Sequence, residues 1–344
     1  MSILLKRSNF TKIQKMKILK NIISVFLILF VVISCASDDE IIDNSKEVTP
    51  GVKLVNFSHT LSSCDPTNDT YNYCSDKINS WTNKGVSKMK NQNADVLVVT
   101  WNVGEFVSEG GFDRPYNTHK VVLMSSEIES ILSNISEWLK GTCLSSGEQS
   151  TTLNEYRNYL EKGADVSSQF VICSNSRIVL AAYKKAKNSE EENGIQSFVL
   201  HELYHAFQQD LGIQSCTNQR ESSSNSNGKA IVEGAAQLFA EIATGEMKGH
   251  DGINNLLKQV YNDYQGSKDK SISNGYAWSA GLALMIQRSW LDQSIIMDGS
   301  LFHNCKTETD FTNSNQNLLK IKDLWYMIEK DGDNYKFSDQ ALGK

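Results

Sequence analysis

Apolar and polar positions change their period several times along this chain, and each change marks a predicted element. Residues 96–103 and 119–124 are short runs rich in β-branched side chains and read as strands. From 125 to 139 the period lengthens, and Ile128, Ile131, Leu132, Ile135 and Leu139 share one face of a helix. Residues 170–173 and 177–183 read as a strand pair around a polar turn, and 184–194 as a charged loop. Helical spacing returns over 195–210. There Val199, Leu203, Ala206 and Phe207 point one way and positions 201 and 205 the other, so one side packs on a core and the other faces a cleft. A Ser/Asn-rich loop is expected at 211–228. Helices follow at 229–244, at 277–291, where Ala280, Gly281 and Ala283 suit close packing, and at 318–328. The chain shows no internal repeat.

This order predicts an α+β fold. A mixed sheet subdomain over 53–194 packs on the helix that opens a mainly helical subdomain over 195–344. The 344 residues, 40% apolar and 22% charged, are ordinary for a globular protein. The first 34 residues differ. They carry six basic side chains and no acidic ones, followed by an apolar stretch over 22–33, shorter than the ~20 residues a bilayer span needs. That pattern predicts an export signal. It ends in Val32-Ile33-Ser34-Cys35, which resembles a bacterial lipobox. The resemblance implies lipidation of Cys35 and a membrane anchor at that residue, and the polar composition that follows predicts a flexible tether over 35–52. The Ser-acidic run at 37–40 resembles the segment that routes Bacteroidetes lipoproteins to the cell surface, which implies an outer-membrane, surface-exposed protein.

Without the signal, 28 basic residues face 40 acidic ones. A nucleic-acid partner is not expected, because phosphate binding needs clustered Lys and Arg. Cys35 aside, six cysteines remain, an even number suited to an oxidising compartment. Proximity and chain order suggest Cys64–Cys74, Cys143–Cys173 and Cys216–Cys305.

The chemistry centres on His201-Glu202-Leu203-Tyr204-His205, an H-E-x-x-H sequence inside an apolar run. On a helix, positions i and i+4 lie one turn apart on one face, so His201 and His205 can bind a single Zn²⁺. Glu202 between them can reach a water there as general base. A third ligand is needed. The extension H-E-x-x-H-x-x-G-x-x-H fails, because Gln208 and Leu211 occupy its last two fixed positions. His250 sits in a Gly-flanked segment and reads as exposed. Glu233 stands in an otherwise apolar stretch, where an unpaired carboxylate would be costly. Gly234, Ala235 and Ala236 beside it would let its helix approach the first closely enough for a carboxylate–zinc contact of about 2.0–2.2 Å.

His201 to Gln209, followed by Val232 to Glu241, resembles the gluzincin clan of zinc metallopeptidases, in which H-E-x-x-H pairs with a downstream glutamate, often in an E-G-x-A context. The likeness covers roughly residues 195–290. It implies a zincin-like fold, zinc held by His201, His205 and Glu233, and peptide hydrolysis with Glu202 as base. The E-N-x-x-D form of thermolysin-like members is absent, and 27 residues separate His205 from Glu233. Residues 274–286 resemble a later element of the clan, which implies Tyr276 as an oxyanion donor. Substrate would be a protein or peptide lying along an edge strand, for which 177–183 is the candidate. Two other functions fit the same residues: a non-catalytic surface-binding lipoprotein with a structural or degenerate zinc site, and a zinc amidase acting on cell-wall peptides.

Overall fold

The computed structural model describes residues 47–49, 52–58, 75–89, 95–102, 125–162, 166–173, 176–183, 186, 188–208, 227–228, 230–303 and 314–344. All fall in one unit, Asn44–Lys344. Its first part runs β1 (Glu47–Thr49), β2 (Val52–Ser58), α1 (Ser75–Lys88), β3 (Asp95–Asn102), α2 (Ser125–Leu139), α3 (Ser146–Lys162), β4 (Val166–Cys173) and β5 (Ser176–Tyr183). Then come α4 (Ser189–Phe207), a π-helical turn (Ala230–Gly234), α5 (Ala235–Lys248), α6 (Gly252–Tyr264) and α7 (Gly275–Gln287). The end is formed by α8 (Gln293–Met297), α9 (Ser300–His303), α10 (Gln316–Ile321), the hairpin β6 (Ile328–Asp331) and β7 (Asn334–Phe337), and α11 (Asp339–Leu342). The architecture is α+β. The expected signal, Cys35, the tether and the strand at 119–124 lie outside the described residues, as do Cys64, Cys74, Cys216 and Cys305. Cys143 forms a disulfide, and its partner lies outside the described side chains.

The larger sheet has the order β1-β2-β3-β5-β4. β2, β3 and β5 are parallel, and β4 returns antiparallel to β5. The run in β3 is continuously apolar because both of its faces are covered. Val96 and Val98 join the main core with α1, α4, α5 and α7. Leu97 and Val99 join a second core with Ile128, Ile131, Leu132, Ile135 and Leu139 of α2 and Tyr156 and Leu160 of α3. The single face expected for 125–139 is therefore the buried one. The main core runs from Ile78 in α1 to Ala341 in α11.

Several expectations need correction. Residues 177–183 lie in β5, which is an inner strand between β3 and β4, and β4 is the edge. The segment expected as a charged loop supplies the first turn of α4. Asn188 caps it, its side chain accepting from the Glu191 amide at 2.9 Å. Glu190, Glu191 and Glu192 then favour the positive end of the helix dipole. Buried Glu192 is held by Lys77 of α1 and by Lys248 of α5, the latter at 2.7 Å. Farther along, α4 is buried on more than one side: Val199, Leu200, Leu203, Tyr204 and Ala206 are all inaccessible. The helix expected at 318–328 is the short α10, followed by turns and the β6–β7 hairpin.

Candidate metal centre

His201 and His205 come together because α4 is regular there. Their rings meet edge to face with centroids 4.5 Å apart, and their Nε2 atoms are separated by 2.9 Å. Glu233 arrives from the π-helical turn, its Oε2 standing 3.5 Å from His201 Nε2 and 3.6 Å from His205 Nε2. The wide turn precedes α5 directly and carries the carboxylate toward α4; such single π turns recur at functional sites.

Glycines position this turn. A Cβ on Gly234 would stand 2.8 Å from Trp278 Cβ, and one on Gly275 would stand 3.4 Å from Glu233 Cβ. Gly234, expected to bring α5 close to α4, thus makes room for α7.

Zinc with bonds of about 2.0–2.1 Å in a tetrahedron holds its donor atoms roughly 3.3 Å apart. The three distances above bracket that value. The point in their plane equidistant from the three atoms lies about 1.9 Å from each, so zinc bond lengths put an ion just outside the plane. The donor set therefore fits the ion. Glu202 is buried beside it, and one carboxylate oxygen lies within 4.8 Å of the imidazole donors. His201, Glu202 and His205 could together hold a metal, and among the described residues no cysteine or further histidine joins them. The His201 and His205 side chains are 9% and 13% exposed, against 44% for Glu233, so solvent reaches the centre from the Glu233 side.

The electrostatics are those of mutually compensating charges. Burial alone would raise the Glu233 carboxyl, but the imidazoles of His201 and His205 outweigh it and hold the group well below the usual carboxylate range. Burial alone would lower His205. Hydrogen bonding to Glu233, the charges of Glu202 and Glu233, and the Gln208 side chain outweigh that and raise it to about 9.

The motif alone did not reveal Gln208. Its Oε1 lies 2.6 Å from His205 Nδ1, and its Nε2 donates to the Val232 carbonyl at 2.9 Å. One side chain thus fixes the His205 ring and ties it to the turn bearing Glu233. The signal in the sequence is a glutamine three residues past the second histidine, on the same helix face. His201 Nδ1 has no such partner among the described residues.

Tyr276 is placed elsewhere. Its hydroxyl bonds Gln259 and Gln237 and lies near Glu241 and Asp263; burial, reinforced by these carboxylates, pushes it up to about 12. It lines a separate cavity, as does His250, which is half-buried rather than exposed. The structure joins His201, Glu202, His205 and Glu233, and does not bring Tyr276 to the imidazoles. No protein-family model, no curated protein and no solved structure matches the chain.

Proposed function

We propose that the chain is a zinc-dependent metallopeptidase. One observation carries the reading: three donors, His201 Nε2, His205 Nε2 and Glu233 Oε2, form a triangle of tetrahedral dimensions with one side toward solvent. A structural zinc site closes its shell with four protein ligands, whereas a catalytic site uses three.

Bound zinc supplies a Lewis acid that eases deprotonation of water and polarises a carbonyl. His205 presents Nε2 because Gln208 engages Nδ1–H. Glu202 takes a proton from the attacking water and returns it to the leaving amine as the C–N bond breaks. Phe198, 38% exposed and stacked 6.4 Å from His201, offers an apolar shelf for a substrate side chain. Among the described residues β4 is the sheet edge beside α4, suited to an extended peptide. In this reading α4, the Glu233 turn and the sheet form a zincin-like frame, the substrate is a protein or peptide, and the Cys35 anchor holds the enzyme at the outer membrane. Tyr276, engaged by two glutamines, is given no step.

Elemental mass spectrometry of the purified chain tests the reading. One zinc per chain is expected, and none in the His201→Ala/His205→Ala variant. A folded, zinc-supplemented parent without zinc sinks it. Zinc without hydrolysis of any member of a peptide library turns the balance to a non-catalytic surface-binding protein.

A further inference from the structure

The far end of α7 carries a surface that the metal centre does not use. Ser289 ends the helix in the left-handed region, at φ 56°, the one residue other than glycine with positive φ among the described residues. L side chains adopt that conformation at a cost. The Trp290 amide closes the turn by donating to the Met285 carbonyl at 2.8 Å. Arg288 Cζ then lies 4.5 Å from the Trp290 ring centroid, and Lys320 Nζ of α10 lies 5.7 Å from it. α10 reaches this place because Gly281 has no side chain: a Cβ there would stand 2.8 Å from Ile321 Cδ1. Just past α10, Lys322 Nζ lies 5.8 Å from the Trp278 ring centroid.

These three cations are set apart by their company. Elsewhere basic side chains meet carboxylates: Lys88 meets Glu246, Arg157 meets Glu129, Lys258 meets Glu190 and Lys336 meets Asp331. Among the described residues Arg288, Lys320 and Lys322 form no ion pair, and their printed neighbours are aromatic rings and a backbone oxygen, the Ala341 carbonyl at 2.7 Å from Arg288 Nε. The carboxylates nearest in sequence do not compensate them. Asp292 accepts from the Ser294 amide, and Asp323 forms no ion pair among the described residues. Leu319 is 39% exposed, and Phe198 at the metal centre is the other large apolar side chain so exposed among the described residues. At about 100° per residue, Leu319 and Lys320 share the crest of α10, opposite the buried Leu318 and Ile321.

We propose that this face docks on an anionic lipid surface, with Arg288, Lys320 and Lys322 against headgroup phosphates, Trp290 at the headgroup boundary and Leu319 in the acyl layer. Indole rings favour that boundary. A basic side chain close to an anionic leaflet contributes about fivefold to partitioning. The exposed leucine favours lipid over a soluble polyanion, which would satisfy the cations and leave Leu319 in water. The docking needs neither zinc nor the Cys35 anchor, so it stands independently of the peptidase reading.

Sedimentation of the purified chain with vesicles tests the proposal, with hydrogen exchange on the same mixtures to locate the contact. One vesicle is phosphatidylcholine alone and the other mixes it equally with phosphatidylglycerol. Amides of 286–291 and 316–324 should exchange several-fold more slowly on the mixed vesicles and at the free rate on the neutral ones. Lys320→Glu, at an exposed position, should weaken binding to the mixed vesicles by about tenfold, and Leu319→Ser should weaken it several-fold. Free-rate exchange of both segments on the mixed vesicles overturns the proposal, as does unchanged binding of Lys320→Glu. Unchanged binding of Leu319→Ser also overturns it and turns the face over to a soluble polyanion. Zinc content read on the same samples reports separately on the metal centre.

Discussion

Glu233 and Glu241 lie eight residues apart, and burial pushes both carboxyls upward, yet they end in opposite states. Two imidazoles override burial at Glu233 and hold its carboxyl well below the ordinary range. At Glu241 a serine and a glutamine oppose burial without overcoming it, and the carboxyl stays above the ordinary value. What separates them is charge: ionisable rings face one and neutral dipoles the other. An incoming cation therefore meets different tasks at the two ends of the α4–α5 seam. At His205 it must displace a proton that Glu233 and Glu202 help retain. At Glu241 it meets a carboxyl that, among the described residues, is hydrogen-bonded by the neutral Ser197 and Gln237 side chains.

The contrast can be broken at either end. The largest effect is expected from Glu202→Gln, which removes the proton acceptor and leaves the donor triangle. Hydrolysis should fall ~10²–10⁴-fold with zinc retained; turnover at the parent rate would remove Glu202 from its role. Next, Gly252→Ala would drive a Cβ into the Glu241 carbonyl. About 3 kcal/mol of stability should be lost, read by urea denaturation, because neither backbone can yield cheaply. Gln208→Leu leaves His205 Nδ1 unpaired and cuts the tie to Val232. Zinc affinity, measured by competition with a chelator, should drop ~10–100-fold. The smallest change is expected from Ser197→Ala, one turn from His201 but facing Glu241. A loss of about 1 kcal/mol with unchanged zinc affinity would confirm that the two ends are energetically separate.

Local patterns were legible in the sequence and adjacency was not. The spacing of His201 and His205 dictates their meeting on any regular helix, and the apolar company of Glu233 marked it as a carboxylate in need of partners. The helix at 125–139 was equally plain from its spacing. By contrast, the pattern of β5 does not tell an edge from an inner strand, because strand order is set by the return of β4, which no pattern within β5 encodes. The start of α4 reads as a loop because a run of charge resembles one, although Asn188 and the three glutamates after it form a cap. The expected role of Tyr276 rests on resemblance, while the direction of its hydroxyl depends on Gln237 and Gln259 from two other helices. Glu241 stands in plain sight in an apolar run, and its bond to Ser197 of α4 is a long-range contact that run does not encode.

The π-helical turn at Ala230–Gly234 has a consequence of another kind. A π turn holds one residue more than an α turn, and each α-helical residue advances about 100° around the axis. Deleting any one residue there would close the turn and rotate the preceding chain by about that angle, taking the Val232 carbonyl away from Gln208. The arrangement thus depends on a count as well as on side-chain identities. Substitutions at the neighbouring apolar positions change packing by degrees, whereas a shift of one residue in length changes which parts of the chain meet.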